Sequence, residues 1–176
     1  YTIPDGPCPN STATGPGTLA GVKDGPTAQD DSYTGAQKTL RGHQNYVYVT
    51  RFSPDSRWLV TGSDDGTAKI WDVATGRELQ SFLKGNRRYW DGVRSLAFLP
   101  DGQTLLLGNN DGTIIVWHVA TNQVKAQFKA HPNEILSLSL SPDGKLLASA
   151  CAEGPFKLWD TTTWQERATV NGHRGR

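Results

Sequence analysis

Apolar residues recur along the chain in a fixed order. Three segments place them at Val47, Thr50 and Phe52, at Val93, Leu96 and Phe98, and at Ile135, Leu138 and Leu140. That step of three and then two departs from the uniform step of a plain strand and predicts a strand with a β-bulge. Near-continuous apolar runs follow, Trp58-Leu59-Val60, Thr104-Leu105-Leu106-Leu107 and Leu146-Leu147-Ala148, which suit a strand covered on both faces. Asp65-Gly66 and Asp111-Gly112 then supply the positive-φ turn of a tight hairpin into Ala68-Lys69-Ile70-Trp71 and Ile114-Ile115-Val116-Trp117. A mixed, polar stretch closes each unit, Arg77 to Phe82, Gln123 to Phe128 and Gln165 to Val170, as an outer edge in water requires. The pattern therefore predicts three four-stranded antiparallel sheets. Each sheet has two apolar faces and no core of its own, so it must stack on others like it.

The three units are copies. Trp71, Trp117 and Trp159 close them at spacings of 46 (117 − 71) and 42 (159 − 117) residues. In register lie Ser53-Pro54-Asp55, Leu99-Pro100-Asp101 and Ser141-Pro142-Asp143, then Asp65-Gly66-Thr67, Asp111-Gly112-Thr113 and Glu153-Gly154-Pro155. Gly42-His43 opens the first copy, Ala130-His131 the third, and Gly172-His173 begins another. With endings Trp71-Asp72 and Trp159-Asp160, from which Trp117-His118 departs, residues 36–173 resemble the WD-repeat β-propeller family, whose units run about 40–45 residues. The resemblance implies an all-β fold of propeller blades, with repeats at about 42–82, 83–128 and 129–170 and the start of another at 171–176, all within a WD-repeat region of 36–176. Because the family's repeat is offset from its blade, Gln37 to Leu40 is expected as an outer strand left over from a preceding blade. Three blades do not close a ring that typically needs about 4–8. The expectation is an incomplete propeller or part of a larger one, or blades covered by association between copies.

Residues 1–35 differ in kind. Pro4, Pro7, Pro9, Pro16 and Pro26 stand among glycines with hardly any apolar periodicity, the composition of an irregular arm. The chain begins at Tyr1, and Asn10-Ser11-Thr12 is a glycosylation sequon, so the reading leans toward export. Cys8 and Cys151 have no metal-ligand spacing and read as two unrelated thiols, with a disulfide between them the alternative. With 18 basic against 17 acidic residues, a formal charge of +1 gives nucleic acid or an anionic membrane little to hold, and no apolar stretch is long enough for a membrane helix.

Two constellations carry the candidate chemistry. His43, Ser63 and Asp65 contain the residue types of a hydrolase triad, a distant alternative here. The family resemblance instead implies a structural tetrad of His43, Ser63, Asp65 and Trp71 that locks one blade, with no catalytic residue and no cofactor. In the second copy Asp111 and Trp117 remain, while Tyr89 and Asn109 stand for the His and Ser. The third keeps His131 and Trp159, with Cys151 and Glu153 for the hydroxyl and the acid. Of the four histidines, His43, His118, His131 and His173, three stand at repeat openings, and they lack a second ligand type at fixed spacing, so no metal site is expected. The second constellation is the four-residue excess of the second repeat, within Lys84 to Gly92. Its Arg87, Arg88, Tyr89 and Trp90 are the residue types of binding hot spots; the alternative is that Tyr89 and Trp90 fill the gap of the absent His. Tyr46, Tyr48, Asp64, Asn110, Asn133 and Glu134 lie near the same strand ends. The function expected is a non-catalytic scaffold that binds a protein or peptide on this loop face. The rival is a structural subunit held to other copies or chains by open blade edges and the arm.

Overall fold

The structure, a computed structural model, describes residues 38–83 and 92–171. These residues form twelve strands in three antiparallel sheets, each built from four consecutive strands. Blade one contains β1 (Val47–Phe52), β2 (Trp58–Ser63), β3 (Thr67–Asp72) and β4 (Glu78–Leu83). Blade two contains β5 (Val93–Phe98), β6 (Thr104–Asn109), β7 (Thr113–His118) and β8 (Gln123–Lys129). Blade three contains β9 (Ile135–Leu140), β10 (Leu146–Cys151), β11 (Phe156–Asp160) and β12 (Glu166–Val170).

Each inner strand carries the bulge its apolar spacing predicts. Val47 and Val49 pair with Ser63 and Gly62, Val93 and Ser95 with Asn109 and Gly108, and Ile135 and Ser137 with Cys151 and Ala150. Tyr48, Arg94 and Leu136 are thus the extra residues, one per blade. Bulges re-aim side chains at strand ends, and all three sit at the same end of the stack. The β2–β3 and β6–β7 hairpins turn on Gly66 and Gly112, both at positive φ (80° and 77°), with the glycine amide bonded back to Ser63 or Asn109. In the next turn of blade one, Asp72 accepts the Thr75 amide and hydroxyl, each at 2.7 Å; in blade three, Asp160 accepts the Thr162 and Thr163 amides. Where blade two has His118, its Nδ1 accepts from the Thr121 hydroxyl and amide, so imidazole replaces carboxylate as the acceptor.

One expected element is absent. Lys38 to Leu40 form no strand; instead they lie along the Asp72–Gly76 turn, where Lys38 Nζ donates to the Ala74 carbonyl. An outer strand needs an inner neighbour to bond to, and among the described residues no preceding sheet offers one.

The blades stack face to face. Val49, Val60, Ala68 and Ile70 of blade one pack on Val93, Leu96, Leu105, Leu107, Ile115 and Trp117 of blade two. Ala97, Leu106, Ile114 and Val116 of blade two pack likewise on Ile135, Leu138, Leu147 and Trp159 of blade three. Each blade therefore has a leading face, toward the blade before it, and a trailing face, toward the blade after. Phe82 and Phe128 on outer strands reach the next blade's Trp, with ring centroids 5.0 and 4.9 Å apart. Fully burying one such large apolar side chain contributes about 1.5–3 kcal/mol, so the two interfaces, and not any single sheet, hold the domain.

Candidate protein-interaction face

Two polar systems are built on these sheets, one inside each blade and one across the loop ends. The first is the lock. In blade one the Trp71 indole N–H donates to Thr61 Oγ1 at 2.9 Å, Thr61 Oγ1 lies 2.6 Å from His43 Nε2, and His43 Nδ1 lies 2.9 Å from Asp65 Oδ2. Thr67 and the Gln44 amide also donate to Asp65. Burial pushes the Asp65 carboxyl up, but the bonds from His43, Thr67 and Gln44 outweigh it and hold it well below the ordinary carboxylate range. All groups are satisfied if His43 carries its proton on Nδ1 and accepts from Thr61 on Nε2.

The hydroxyl of the lock is thus Thr61 and not Ser63, a correction to the tetrad read from sequence. Ser63 is also buried, but its hydroxyl donates to the Asn45 carbonyl and accepts the Asp65 amide. The two residues share one face of β2, two positions apart, and only the reach of the indole, ten residues on, selects Thr61. Blade three repeats the arrangement. Trp159 donates to Ser149 Oγ at 2.8 Å, and Ser149 Oγ lies 2.7 Å from His131 Nε2. Ser149, not Cys151, is its hydroxyl; the Cys151 thiol lies 3.1 Å from the Glu153 carbonyl. His131 is buried, and among the described residues its Nδ1 has no hydrogen-bond partner. Burial, and then the positive charge of Lys157, hold its pKa below the ordinary histidine value.

Among the described residues, blade two shows no such lock. Leu107 stands ten residues before Trp117, so the indole N–H turns to Asn122 Oδ1 at 3.1 Å. Asn109, expected in the hydroxyl's place, donates to the Thr113 carbonyl. Asp111 accepts the Thr113 amide at the hairpin. Nothing in these locks makes a nucleophile, because the hydroxyl that faces each imidazole is buried and already accepts an indole N–H.

The second system lies at the bulged ends of the inner strands. Just beyond each bulge one backbone rung repeats, from Asp64 to Tyr46, Asn110 to Gly92 and Ala152 to Glu134. Arg94, the bulge residue of blade two, joins all three blades. Its guanidinium lies 3.7 Å from the centre of the Tyr48 ring in blade one. Its Nε donates to Asn110 at 2.6 Å, while Asp64 and Glu134 lie at ion-pair range, 3.8 and 3.7 Å. Asn110 donates in turn to Asp64 at 3.4 Å. Gly92 is required here, since a Cβ would stand 2.5 Å from Asp64 Oδ1 and 2.9 Å from Asn110 Nδ2. Around this hub the surface is apolar and open. Tyr46 is 73% exposed, Leu136 52% and Tyr48 45%, and the Tyr46 and Tyr48 rings lie 6.4 Å apart.

Of the binding residues read from sequence, the structure brings Tyr48, Asp64, Asn110 and Glu134 together around Arg94, with Tyr46 beside Tyr48. Asn133 stands apart, its carbonyl set against Gly112. Arg87, Arg88, Tyr89 and Trp90 lie outside the described residues, as do Cys8, Asn10 and His173. Sequence reasoning missed Arg94 itself. Its signal was register, since it occupies the place of Tyr48 and Leu136 in the other two copies.

Three stacked four-stranded blades with bulged inner strands and a Trp-hydroxyl-His lock define an all-β partial propeller. The WD domain, G-beta repeat (WD40) profile matches residues 35–72, 77–118 and 122–160, more than half of the chain, and the chain belongs to that family. Over 48 residues it is 44% identical to the ribosome biogenesis protein erb1 of Aspergillus oryzae, covering 27% of this chain and 6% of that protein. Over 57 residues it is 40% identical to the guanine nucleotide-binding protein subunit beta of Solanum tuberosum, covering 32% of this chain and 14% of the relative. In fold it is similar to the solved structure of U3-55K, with a TM-score of 0.71 at 23% identity over 77% of this chain and 42% of that one. The RRP9 WD40 repeats give a TM-score of 0.70 at 24% identity, over 77% and 41%. The match thus spans less than a sixth of the two curated relatives and about two fifths of the solved structures.

Proposed function

We propose that this chain is a non-catalytic interaction scaffold that holds a protein or peptide segment on the loop face around Arg94. The observation that carries the reading is a rigid charged hub under an open apolar surface. Arg94 is fixed by three blades, so it orders the face, and Tyr46, Tyr48 and Leu136 lie exposed beside it. Aromatic and aliphatic groups held at low entropic cost are what hot spots use. Among the described residues of this patch Glu134 and Asp64 outnumber Arg94, which favours a ligand segment with a cationic residue beside an apolar one. The relatives support a scaffold in kind, since their names describe a subunit and a biogenesis factor.

The test is to pan a displayed library of random peptides against the full chain and retest the selected peptides on a Tyr46→Ala/Leu136→Ala chain. Both residues are exposed and outside the hydrogen-bonded hub, so the stability changes by no more than about ±0.5 kcal/mol, as is typical of surface substitutions. A loss of affinity of tenfold or more is expected. Unchanged affinity moves the binding surface elsewhere.

A further inference from the structure

Blade three keeps the hydroxyl half of the lock and has lost the acid half. His131 matches His43 at an offset of 88 residues (131 − 43), and the same offset sets Pro132 at Gln44, Glu153 at Asp65 and Pro155 at Thr67. In blade one the Asp65 carboxylate takes His43 Nδ1, the Gln44 amide, and the Thr67 amide and hydroxyl. Both residues that give that carboxylate a backbone donor are proline in blade three, and proline has no N–H. The acid site is thus dismantled at three positions together. His131 Nε2 stays on Ser149 beneath Trp159, while Nδ1 is buried with no hydrogen-bond partner among the described residues.

A charged imidazole is answered in blade one and not in blade three. On His43 a proton stands 2.9 Å from the Asp65 carboxylate; on His131 it makes a buried cation whose Nδ1–H has no acceptor, which burial penalises. The groups around His131 do not repair this. Lys157 of β11 repels the charge, and Glu166 of β12, which attracts it more weakly, is already paired with Lys157 at 2.7 Å. Beyond β10 the Cys151 thiol lies on the Glu153 carbonyl. From blade two, Asp111 accepts the Thr113 amide, and its carbonyl holds the Lys129 ammonium. We infer that blade three is the acid-sensitive blade of this fold: a proton on His131 opens β9 to β12 while blade one, whose lock keeps its acid, stays closed. Among the described residues each of these end blades packs on blade two alone, so the two differ chiefly in their locks. Glu134 and Leu136 stand at the start of β9, and the same opening takes them away from Arg94 and the loop face.

Amide hydrogen exchange of the full chain at pH 7 and pH 5, expressed as protection relative to the unstructured rate at each pH, reads the opening of each blade separately. A histidine with the ordinary value of 6.5 in the open blade limits the loss of protection at pH 5 to about 30-fold. The expected result is a fall of about three- to thirtyfold across β9 to β12, with no more than about twofold across β1 to β4. Rebuilding the acid site with Pro132→Gln, Glu153→Asp and Pro155→Thr together should bring blade three to the behaviour of blade one. His131→Gln, which cannot take up the proton, should remove the fall as well; if that variant does not fold, the triple change decides. No fall in blade three, or an equal fall in both end blades, overturns the local opening. A fall that survives the triple change overturns the missing acid as its cause, and one that survives His131→Gln overturns His131 as its trigger.

Discussion

Replacing Thr61 by Val keeps the shape of the side chain and deletes the one oxygen that joins Trp71 to His43. The indole N–H, now 2.9 Å from that oxygen, and the His43 Nε2 at 2.6 Å both lose their partner where Thr61 and Trp71 are buried. An orphaned buried donor or acceptor costs about 1–3 kcal/mol. Because one group can relax into the space the other leaves, the pair together should cost about 2–4 kcal/mol. Ser63→Ala is the comparison. Its hydroxyl makes two longer bonds, 3.3 Å to Asn45 and 3.1 Å from the Asp65 amide, both to backbone groups near the loop surface, so its loss should cost about 0.5–1.5 kcal/mol. Urea unfolding followed by Trp fluorescence reads the difference as a shift in midpoint at constant slope. In melting temperature, at about 2–4 °C per kcal/mol for a chain of this length, Thr61→Val should fall clearly below Ser63→Ala. Ser149→Ala should lower blade three in the same way, since Ser149 holds Trp159 and His131. If Ser63→Ala loses as much as Thr61→Val, the lock has been assigned to the wrong hydroxyl.

Gly112→Ala should destabilise by about 2–4 kcal/mol in thermal unfolding, because the new Cβ meets the His131 carbonyl at 2.1 Å from a backbone at φ 77°; a loss under about 0.5 kcal/mol contradicts the close approach. Arg94→Met should cost about 1–2 kcal/mol and Arg94→Lys should recover little of it, since the planar guanidinium both stacks on Tyr48 and bonds Asn110; full recovery by Lys would reduce the hub to simple charge. His131 titrates below its ordinary value of 6.5 in the fold, so the unfolded chain takes up its proton first as pH falls. The stability it confers is complete above about 6.5 and is lost as pH drops through the lower folded value. The fall in melting temperature from pH 7 to about 5 should therefore be shallower in His131→Gln than in the parent. Asp65 has the same sign in a lower window, its contribution complete above 3.8 and lost only as pH falls below that.

The blades and their bulges were legible in the sequence because each rests on a period that a single sheet enforces. The shift from steps of two to a step of three at Val47, Val93 and Ile135 marks the bulge by itself. The lock was legible in kind but not in its members. Thr61 and Ser63 point to one face of one strand, and alternation cannot say which rung an indole reaches. Lys38 to Leu40 failed for the opposite reason: the strand's residues are present, but an outer strand exists only where a neighbour bonds to it. Arg94 was invisible because its partners, Tyr48, Asp64 and Glu134, belong to other blades. Only stacking brings them within 4 Å, and no local pattern encodes it.

The central claim is that the loop face around Arg94 is where this scaffold binds, and amide chemical-shift mapping of a library-selected peptide on the full chain tests it most directly. The account predicts that the largest shifts fall together at Tyr46, Tyr48, Arg94, Asn110, Glu134 and Leu136. Shifts gathered instead at the opposite strand ends, around Pro54, Pro100 and Gly144, would contradict it.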